Sequence, residues 1–380
     1  MLDSNNNIAF LFGAGVSVPS GLYRTDELTE KVLSGENVYR NLCGGYEVSD
    51  IPLRDEEDKY VIRIKKLFHV LNNNLGGHYS FINRQMNYED YFYFIDTIYA
   101  DESMDFENPI VAYFSDYLFK VHSSLFEPME EYFNSLRIID LMKEAKNYIK
   151  DLVAHYLNKK PEDLSQFNLI ENLVNDEKLN KIYLFTLNHD TLVEQYLRVN
   201  KIIFSDGFVQ ENVTTKIWNP QSFNEKINLF KLHGSIDWSF SLSSDSYEKK
   251  VCIYLVPQRD TPETAILIGS FNKLPAYTKG INFDLQCLFA KYLNECNRLV
   301  ISGYSFSDQG INSRIINWLY GSRDRKIVII HKNEKDLIRD ARPAISRIID
   351  QNIIQENDLV RIIPKWFQET NWAEINSYLE

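Results

Sequence analysis

Residues Ile8 to Phe12 form a short apolar run that leads directly into a glycine-rich turn, Gly13-Ala14-Gly15. A continuous apolar run of this length predicts a β-strand covered on both faces, as in a parallel sheet. Glycine at the carboxyl end of such a strand lets the backbone approach a phosphate or another backbone closely. The start of the chain therefore predicts either a phosphate-binding turn or a turn whose glycines serve steric needs alone.

Seven further runs predict strands, and several of the eight are continuously apolar and β-branched, as expected for strands covered on both faces. The eight runs lie at 8–12, 182–186, 202–204, 227–232, 252–256, 265–268, 299–302 and 327–330. Residues 284–297 carry apolar side chains at i, i+3, i+4 and i+7, which predicts an amphipathic helix leading into the run at 299. This alternation predicts an α/β fold with a mostly parallel sheet.

The stretch from 56 to 179 has a different pattern, with much charge and long helical periodicities at 57–71 and 129–157. We therefore predict a helical insertion over 56–179 within a discontinuous α/β domain formed by 1–55 and 180–335. The remaining 336–380 are predicted to form an extension with a helix, a strand at 359–363 and a final helix.

Composition excludes several classes of protein. The 380 residues carry a formal net charge of -12, which argues against binding nucleic acid through a broad basic face. The apolar run near the amino terminus is too short for a signal peptide or a membrane span, so we expect a cytoplasmic protein without membrane contact. The four cysteines include no Cys-x-x-Cys pair, which predicts no metal site and no disulfide framework.

Two further motifs follow predicted strands. Thr186-Leu187-Asn188-His189-Asp190 comes after the strand at 182–186, and Leu232-His233-Gly234-Ser235 ends the strand at 227–232. The first has a purely structural interpretation, because an Asn or Asp residue before a helix, with a capping box from Thr191 to Glu194, is common. A single histidine after a strand is likewise often structural, although an unperturbed imidazole, with a pKa of about 6.5, suits proton exchange near neutral pH.

A fourth motif, Gly303-Tyr304-Ser305-Phe306-Ser307-Asp308 with Asn312 after it, follows the run at 299–302. Open α/β sheets place ligand-binding loops at such strand ends. The alternative is an ordinary strand–loop–helix turn in which Ser and Asp serve as helix caps.

The four motifs in this order resemble the sirtuin family of NAD-consuming enzymes. The opening Gly-Ala-Gly-x-Ser-x-x-Ser-Gly is the sirtuin pattern, whereas the family's following Pro-Asp-Phe-Arg is replaced here by Tyr23-Arg24-Thr25-Asp26. Within the second motif, Leu187 and His189 stand where the family has Gln and Ile. The resemblance covers about 5–35 and 180–335 and implies a sirtuin-like Rossmann-type parallel sheet with NAD as substrate.

The resemblance also implies site residues. Asn188 would orient the nicotinamide carboxamide or the attacking water, and His233 would act as general base, with His189 a weaker candidate. Ala14 and Gly15 would hold the NAD phosphates, and Asp190 would contact the nicotinamide. The full set implied to bind NAD is Gly13, Ala14, Gly15, Ser17, Ser20, Gly21, Asp190, Gly303, Ser305, Asp308 and Asn312.

The loop after residue 303 looks more like the zinc-less sirtuin-like domains of prokaryotic antiphage defence than like deacylases. That implies an NAD hydrolase that depletes NAD and is regulated by assembly, with a HerA-type hexameric ATPase as the first candidate partner. An NAD-dependent protein deacylase and a non-catalytic NAD or ADP-ribose sensing module are the alternatives.

An aromatic run in the insertion suggests self-assembly. It includes Tyr88, Tyr91, Phe92, Tyr93 and Phe94. One interpretation is that these rings fill the core between the insertion and the sheet, as aromatic clusters in helices usually do. However, one helical face cannot bury so continuous a run, so some rings are expected at an interface, which predicts a homo-oligomer formed partly through the insertion.

Overall fold

A computed structural model of the protein describes residues 6–51, 58–81, 84–128, 136–241, 250–256, 263–270, 272–354 and 359–379. The strands are β1 (Asn7–Phe12), β2 (Val38–Arg40), β3 (Tyr46–Val48), β4 (Lys181–Thr186), β5 (Phe204–Ser205), β6 (Phe208–Asn212), β7 (Thr215–Trp218), β8 (Ile227–Lys231), β9 (Gly234–Phe240), β10 (Val251–Tyr254), β11 (Thr264–Ile266), β12 (Arg298–Ser302), β13 (Lys326–Ile330) and β14 (Val360–Ile363).

The helices are α1 (Thr25–Ser34), α2 (Lys59–Ser80), α3 (Tyr88–Glu102), α4 (Pro109–Val121), α5 (Ile138–Leu157), α6 (Leu169–Asn175), α7 (Leu192–Val199), α8 (Lys273–Ala276), α9 (Gly280–Asn294), α10 (Gln309–Leu319), α11 (Glu334–Asp340), α12 (Pro343–Ile354) and α13 (Trp372–Ser377). No helix of the described residues is long and apolar enough to cross a membrane.

The main sheet has seven parallel strands in the order β14-β13-β12-β1-β4-β8-β5. Every residue of β1 is buried, because helices cover both faces of the sheet. From β1 the chain adds β4 and β8 on one side, and β12 to β14 on the other. The switch point between β1 and β12 is where open α/β sheets leave a crevice for ligands. The predicted α/β fold with a parallel sheet is confirmed.

A second sheet of five antiparallel strands, in the order β11-β9-β10-β7-β6, was not predicted. The strands predicted at 252–256 and 265–268 overlap β10 and β11, so they belong to this second sheet rather than to the parallel one. Short apolar runs predict strands but do not reveal which sheet the strands join. The run at 202–204 was also misplaced, since β5 consists of Phe204–Ser205.

The helices α1 to α5 and the hairpin of β2 and β3 share a separate apolar core. Helix α5 lies at its centre, and the hydroxyl of Tyr148 donates a hydrogen bond of 2.8 Å to the carbonyl oxygen of Val32 in α1. The helix predicted at 57–71 corresponds to α2, and the one predicted at 129–157 corresponds to α5; residues 57 and 129–135 lie outside the described residues.

The aromatic run on α3 packs inside this helical core. Tyr88, Tyr91 and Phe92 are buried, and the rings of Tyr93 and Phe94 are half-buried, with Phe94 packed against Tyr79. Three of these five rings are therefore core residues, because α3 is covered by neighbouring helices on more than one face, and the expected homo-oligomer contact through this run stays a prediction. Exposed apolar side chains occur instead on and before α4: Met104, Phe106, Ile110, Tyr113, Phe119 and Val121.

Candidate functional site

The four sequence motifs follow four strands that are adjacent in the parallel sheet. The glycine turn follows β1, the Asn188 motif follows β4, the His233 motif follows β8, and the Gly303 loop follows β12. The strand order β12-β1-β4-β8 therefore brings all four loops to one edge of the sheet, beside the switch point.

The glycine turn is packed directly against the loop after β12. The amide of Gly13 donates to the carbonyl oxygen of Ser302 at 2.9 Å, and the amide of Gly15 donates to that of Gly303 at 3.0 Å. A Cβ atom on Gly13 would lie 2.5 Å from the Gly303 oxygen. The glycines are thus needed for the approach of two backbones, while Ala14 between them is exposed.

Ser20 and Gly21 lie in a different environment. Ser20 is fully buried, and its hydroxyl donates to the carbonyl oxygen of Asp163 at 2.6 Å. Gly21 adopts a φ of 80°, and a Cβ there would overlap the side chain of Glu162. Both residues fix the turn against the segment before α6, and the structure gives no open surface at Ser20.

Asn188 is joined to the glycine turn. Its side-chain amide donates to the carbonyl oxygen of Gly13 at 3.1 Å and to the hydroxyl of Ser17 at 2.9 Å. The hydroxyl of Ser17 in turn donates to Oδ2 of Asp190 at 2.7 Å. Because both partners of the Asn188 nitrogen accept, the amide orientation is set and its oxygen points away from them.

The Asp190 carboxylate also begins α7. Its Oδ1 accepts from the amide of Leu192 at 3.1 Å, whereas the side chain of Thr191 makes no capping hydrogen bond. The capping box predicted between Thr191 and Glu194 is therefore absent. Glu194 instead forms a buried ion pair with Lys231 on β8, with 2.9 Å between the Lys231 Nζ and Glu194 Oε1 atoms.

Lys231 extends this network to the Asn188 turn, because its ammonium group also donates to the carbonyl oxygen of Asp190. Burial raises the pKa of Glu194 against the opposing effect of Lys231. The second oxygen of Glu194 has no partner among the described residues. The buried side chain of Lys231 thus links the turn after β4 to Glu194 of α7.

His233 lies in a second buried network with Tyr277 and Asp308. The Nε2 atom of His233 is 2.8 Å from the Tyr277 hydroxyl and 3.2 Å from Oδ2 of Asp308. The Tyr277 hydroxyl donates to the same Oδ2 at 2.5 Å, and its ring stacks on the imidazole with 6.1 Å between centroids. The side chains of His233 and Asp308 are 5% and 7% exposed, so water barely screens this contact.

The charges of this network follow from its burial. Burial and the nearby ammonium of Lys273 lower the pKa of His233, which outweighs the opposing effect of Asp308. Burial by itself would raise the pKa of Asp308, but the hydrogen bonds from His233 and Tyr277 and the ammonium of Lys273 hold that pKa well below its usual range. At neutral pH the pair is therefore a neutral imidazole beside an ionised carboxylate.

His189 is also buried, and its ring centroid lies 6.4 Å from that of His233. Burial and the proximity of His233 lower the pKa of His189 well below its ordinary value. Its Nδ1 atom has no hydrogen-bond partner among the described residues. The ring is therefore neutral in the folded chain at neutral pH.

The rest of the loop after β12 is held by internal hydrogen bonds. The hydroxyl of Tyr304 donates to Oδ1 of Asn312 at 2.8 Å, and the amide of Asn312 donates to the carbonyl oxygen of Phe306 at 2.7 Å. Asp308 begins α10 by accepting from two amides through Oδ1. Ser305 is exposed at the tip of the loop. The assignment of these residues as NAD contacts stays a prediction.

Sequence reasoning missed Tyr277, Lys273 and Glu89. Lys273 begins the short helix α8 and Tyr277 directly follows it, far in sequence from any motif, and Glu89 belongs to α3 of the helical insertion. The Nζ atom of Lys273 lies 3.5 Å from Oε1 of Glu89. No local pattern marks these residues, because their proximity to His233 exists only in the folded chain.

The cysteines do not fit a zinc site. Cys252 and Cys296 are buried, and burial raises the pKa of both thiols, which disfavours the thiolate that zinc requires. Cys43 and Cys287 are exposed. No group of three or more metal-ligating side chains occurs among the residues that the structure describes. That the protein lacks zinc stays a prediction.

The helices α1 to α5 form a layer, called the helical layer below. A cavity of about 620 Å³ lies between this layer and the second sheet, next to the Asn188 turn. Its wall includes Asp151 of α5, Thr191 and Gln195 at α7, and Asp237 of β9. Burial raises the pKa of Asp151 to about 6. The cavity adjoins the convergent loops without being lined by Asn188 or His233.

Comparison with known families agrees with this geometry. Residues 183–349 match the family model described as a SIR2-like domain. This segment is SIR2-like. The SIR2-like segment contains the loops after β4, β8 and β12, and it begins after the glycine turn and the helical insertion.

One solved structure, described as "Structural Basis for the Mechanism and Regulation of Sir2 Enzymes", aligns over 99% of this chain and 92% of that chain, at 9% sequence identity and a TM-score of 0.36. A comparison with curated proteins finds no match.

Proposed function

We propose that this protein hydrolyses NAD to ADP-ribose and nicotinamide. The observation that carries the proposal is the convergence of the Asn188 and His233 loops with the glycine turn at the ends of adjacent strands. The SIR2-like match over 183–349 supports it, since sirtuins are NAD-consuming enzymes.

The dinucleotide would lie in the crevice at the switch point of the parallel sheet, where open α/β sheets bind such ligands. The turn around the exposed Ala14 would approach the pyrophosphate, and the exposed tip of the loop after β12, at Ser305, would border the adenosine end. Asn188, fixed by Gly13 and Ser17, would direct its free amide oxygen toward the carboxamide or the attacking water.

The reaction itself needs positioning more than covalent help. The bond between the anomeric carbon and the nicotinamide nitrogen breaks, and its electron pair neutralises the positive ring. Water supplies the new C–O bond, and its proton passes to neutral His233 and then to solvent. A histidine of lowered pKa is in the basic form at neutral pH, as this step requires.

The test is nicotinamide release from NAD by the purified chain, alone and with its activating partner. Asn188→Ala and His233→Ala should each lower the turnover number by about 10²–10⁴. Asn200→Ala is a matched control, because that side chain donates only locally to the Tyr196 carbonyl oxygen. Parental turnover by both site variants under activating conditions would disprove the assignment.

The same assay separates the two alternatives. A protein deacylase would release nicotinamide only in the presence of an acyl-lysine peptide, in proportion to deacylation. A sensing module would bind NAD or ADP-ribose in calorimetry without consuming it. The Asn188 and His233 pair favours turnover, because simple binding needs no general base.

We also propose that the protein acts in bacterial antiphage defence by depleting cytoplasmic NAD, and that assembly regulates it. A free NAD hydrolase would harm its own cell, so a homo-oligomer with a HerA-type hexameric ATPase is the proposed active form.

The exposed apolar side chains of α4 are a candidate contact between copies of this chain. In light scattering, Ile110→Glu with Tyr113→Lys should shift an oligomer to monomer. A monomeric parent chain, or NAD consumption unaffected by the ATPase, would refute these parts.

A further inference from the structure

The hydrogen bonds around His233 are compatible with only one placement of the hydrogen atoms on His233, Tyr277 and Asp308. Oδ1 of Asp308 accepts from the amides of Gly310 and Ile311, at 2.8 and 3.1 Å, so Oδ2 is the oxygen that faces Tyr277 and His233. The Tyr277 hydroxyl gives its single proton to this Oδ2. An unprotonated Nε2 at 3.2 Å would set a lone pair against the carboxylate, so Nε2 of His233 carries the hydrogen.

Given the proposed NAD hydrolysis, on which this inference rests, we propose that Asp308 and Tyr277 are positioning residues that hold His233 through Nε2 and leave Nδ1 as the atom that takes the proton. In the reaction, Nδ1 accepts a proton from water as the water oxygen bonds to the anomeric carbon, and the nicotinamide leaves with the electron pair of the broken bond. The imidazolium formed for that moment is stabilised by the Asp308 carboxylate.

Tyr277 restricts the imidazole in a second way. Its ring stacks on that of His233 with 21° between the planes, and its hydroxyl bridges Nε2 and Asp308. Helix α8, which precedes Tyr277, is held on α3 by the Lys273 ion pair with Glu89. The neighbouring Asn272 amide donates to Asp96 of α3 at 3.0 Å. The helical layer therefore positions the ring that orients the histidine.

The groups that face His233 set the pH range in which it can act. Asp308 and Glu89 favour the imidazolium, while Lys273 and burial disfavour it. His189 is a neighbouring neutral ring, and Tyr277 stays protonated because burial and Asp308 raise its pKa. Removing the Asp308 charge would lower the pKa of His233 further and move the acid limb of any remaining activity to lower pH.

The substitution Asp308→Asn tests this proposal most directly, because it changes the group that faces Nε2 of His233. The asparagine oxygen must stay on the two helix amides to keep the cap, so its NH₂ group replaces Oδ2 and faces Nε2. A donor at that position favours the tautomer with the hydrogen on Nδ1, which cannot accept a proton. We expect the turnover number to fall about 10²–10⁴-fold with little change in KM.

Tyr277→Phe keeps the stacked ring but removes the hydroxyl that bridges Nε2 of His233 and Asp308. We therefore expect the turnover number to fall by only about tenfold. Ser313→Ala is the matched control, because Ser313 is exposed on α10 and its hydroxyl donates to the carbonyl oxygen of Gln309 at 2.8 Å, outside the His233 network. The proposal would be overturned if Asp308→Asn and Ser313→Ala had equal turnover numbers and equal pH profiles.

A measurement without NAD separates this proposal from the proposed function. Long-range nitrogen NMR of histidine-labelled protein reports the tautomer of each of the seven histidines, and His233→Gln assigns the signal of His233. We expect Nε2–H in the parent chain and Nδ1–H in Asp308→Asn. A parent His233 with its hydrogen on Nδ1 would overturn the positioning role even in an active enzyme. The expected tautomers in a chain that never turns over NAD would leave the positioning intact and refute only the hydrolase.

Discussion

The Nε2 atom of His233 lies 3.2 Å from Oδ2 of Asp308, although these residues follow strands that are separated in the sheet by β1 and β4. Three strand spacings amount to about 14 Å, so the two loops must lean toward each other across the ends of the intervening strands. The pair is therefore a tertiary contact that joins the loop after β8 to the loop after β12, across the ends of β1 and β4.

Gly303→Ala should destabilise the protein. Gly303 has a φ of 66°, and a Cβ would lie 2.5 Å from the amide nitrogen of Val16. We expect the free energy of unfolding in urea to fall by about 2 kcal/mol or more. Gly77→Ala is the contrasting control, because it lies in α2 with no atom within 4 Å of a new Cβ, and it should raise stability by about 0.5–1 kcal/mol. Equal effects of the two substitutions would contradict the packing described for the glycine turn.

Ser17→Ala should affect both stability and activity. Its hydroxyl links Asn188 to Asp190, and its loss leaves Oδ2 of the buried Asp190 without this donor. We expect a loss of about 1–3 kcal/mol in unfolding free energy and a drop in nicotinamide release as Asn188 becomes less constrained. Ser313→Ala, which removes a bond to Gln309 within one exposed helical turn, should change neither. An unchanged Ser17→Ala protein would show that the bridge is unimportant.

Acid should destabilise the fold through its buried histidines. The pKa of His189 is well below 6.5 in the folded chain, so the unfolded chain binds protons first as the pH falls. Stability is then lost below about pH 6.5, by at most about 2 kcal/mol from this residue at pH 5. The difference in unfolding free energy between pH 7.5 and 5 should be smaller in His189→Gln than in the parent. The same pH dependence in both would indicate that His189 does not contribute.

Lys231→Met should be strongly destabilising, because it leaves the carboxylate of Glu194 buried without its counterion. Breaking such a pair from one side costs about 3–5 kcal/mol, and adding Glu194→Gln should recover part of the loss. Lys120→Met removes an ion pair with Asp116 in which both side chains are more than two-thirds exposed, so its effect should be below about 0.5 kcal/mol. Chemical unfolding of the three variants measures these differences. A loss no greater than that of Lys120→Met would contradict the burial of the pair.

The sequence alone was sufficient for the parallel sheet. The runs at 8–12, 182–186, 299–302 and 327–330 are apolar except at their last positions Thr186 and Ser302, and they lie inside observed strands. Such near-continuous apolar runs are expected for strands that are covered on both faces. It also indicated that the four motifs lie at strand ends, since glycine and polar residues follow each run. The resemblance of those motifs to sirtuins agrees with the SIR2-like match.

The tertiary structure decided which residues act together. The second sheet pairs its strands through an antiparallel register that no local run encodes. The Ser17 bridge between Asn188 and Asp190, and the approach of Tyr277 and Asp308 to His233, join residues that are distant in the chain. Local periodicity reports only the side of an element that becomes buried, whereas these contacts depend on how the loops of four strands and the helical layer pack over one edge of the sheet.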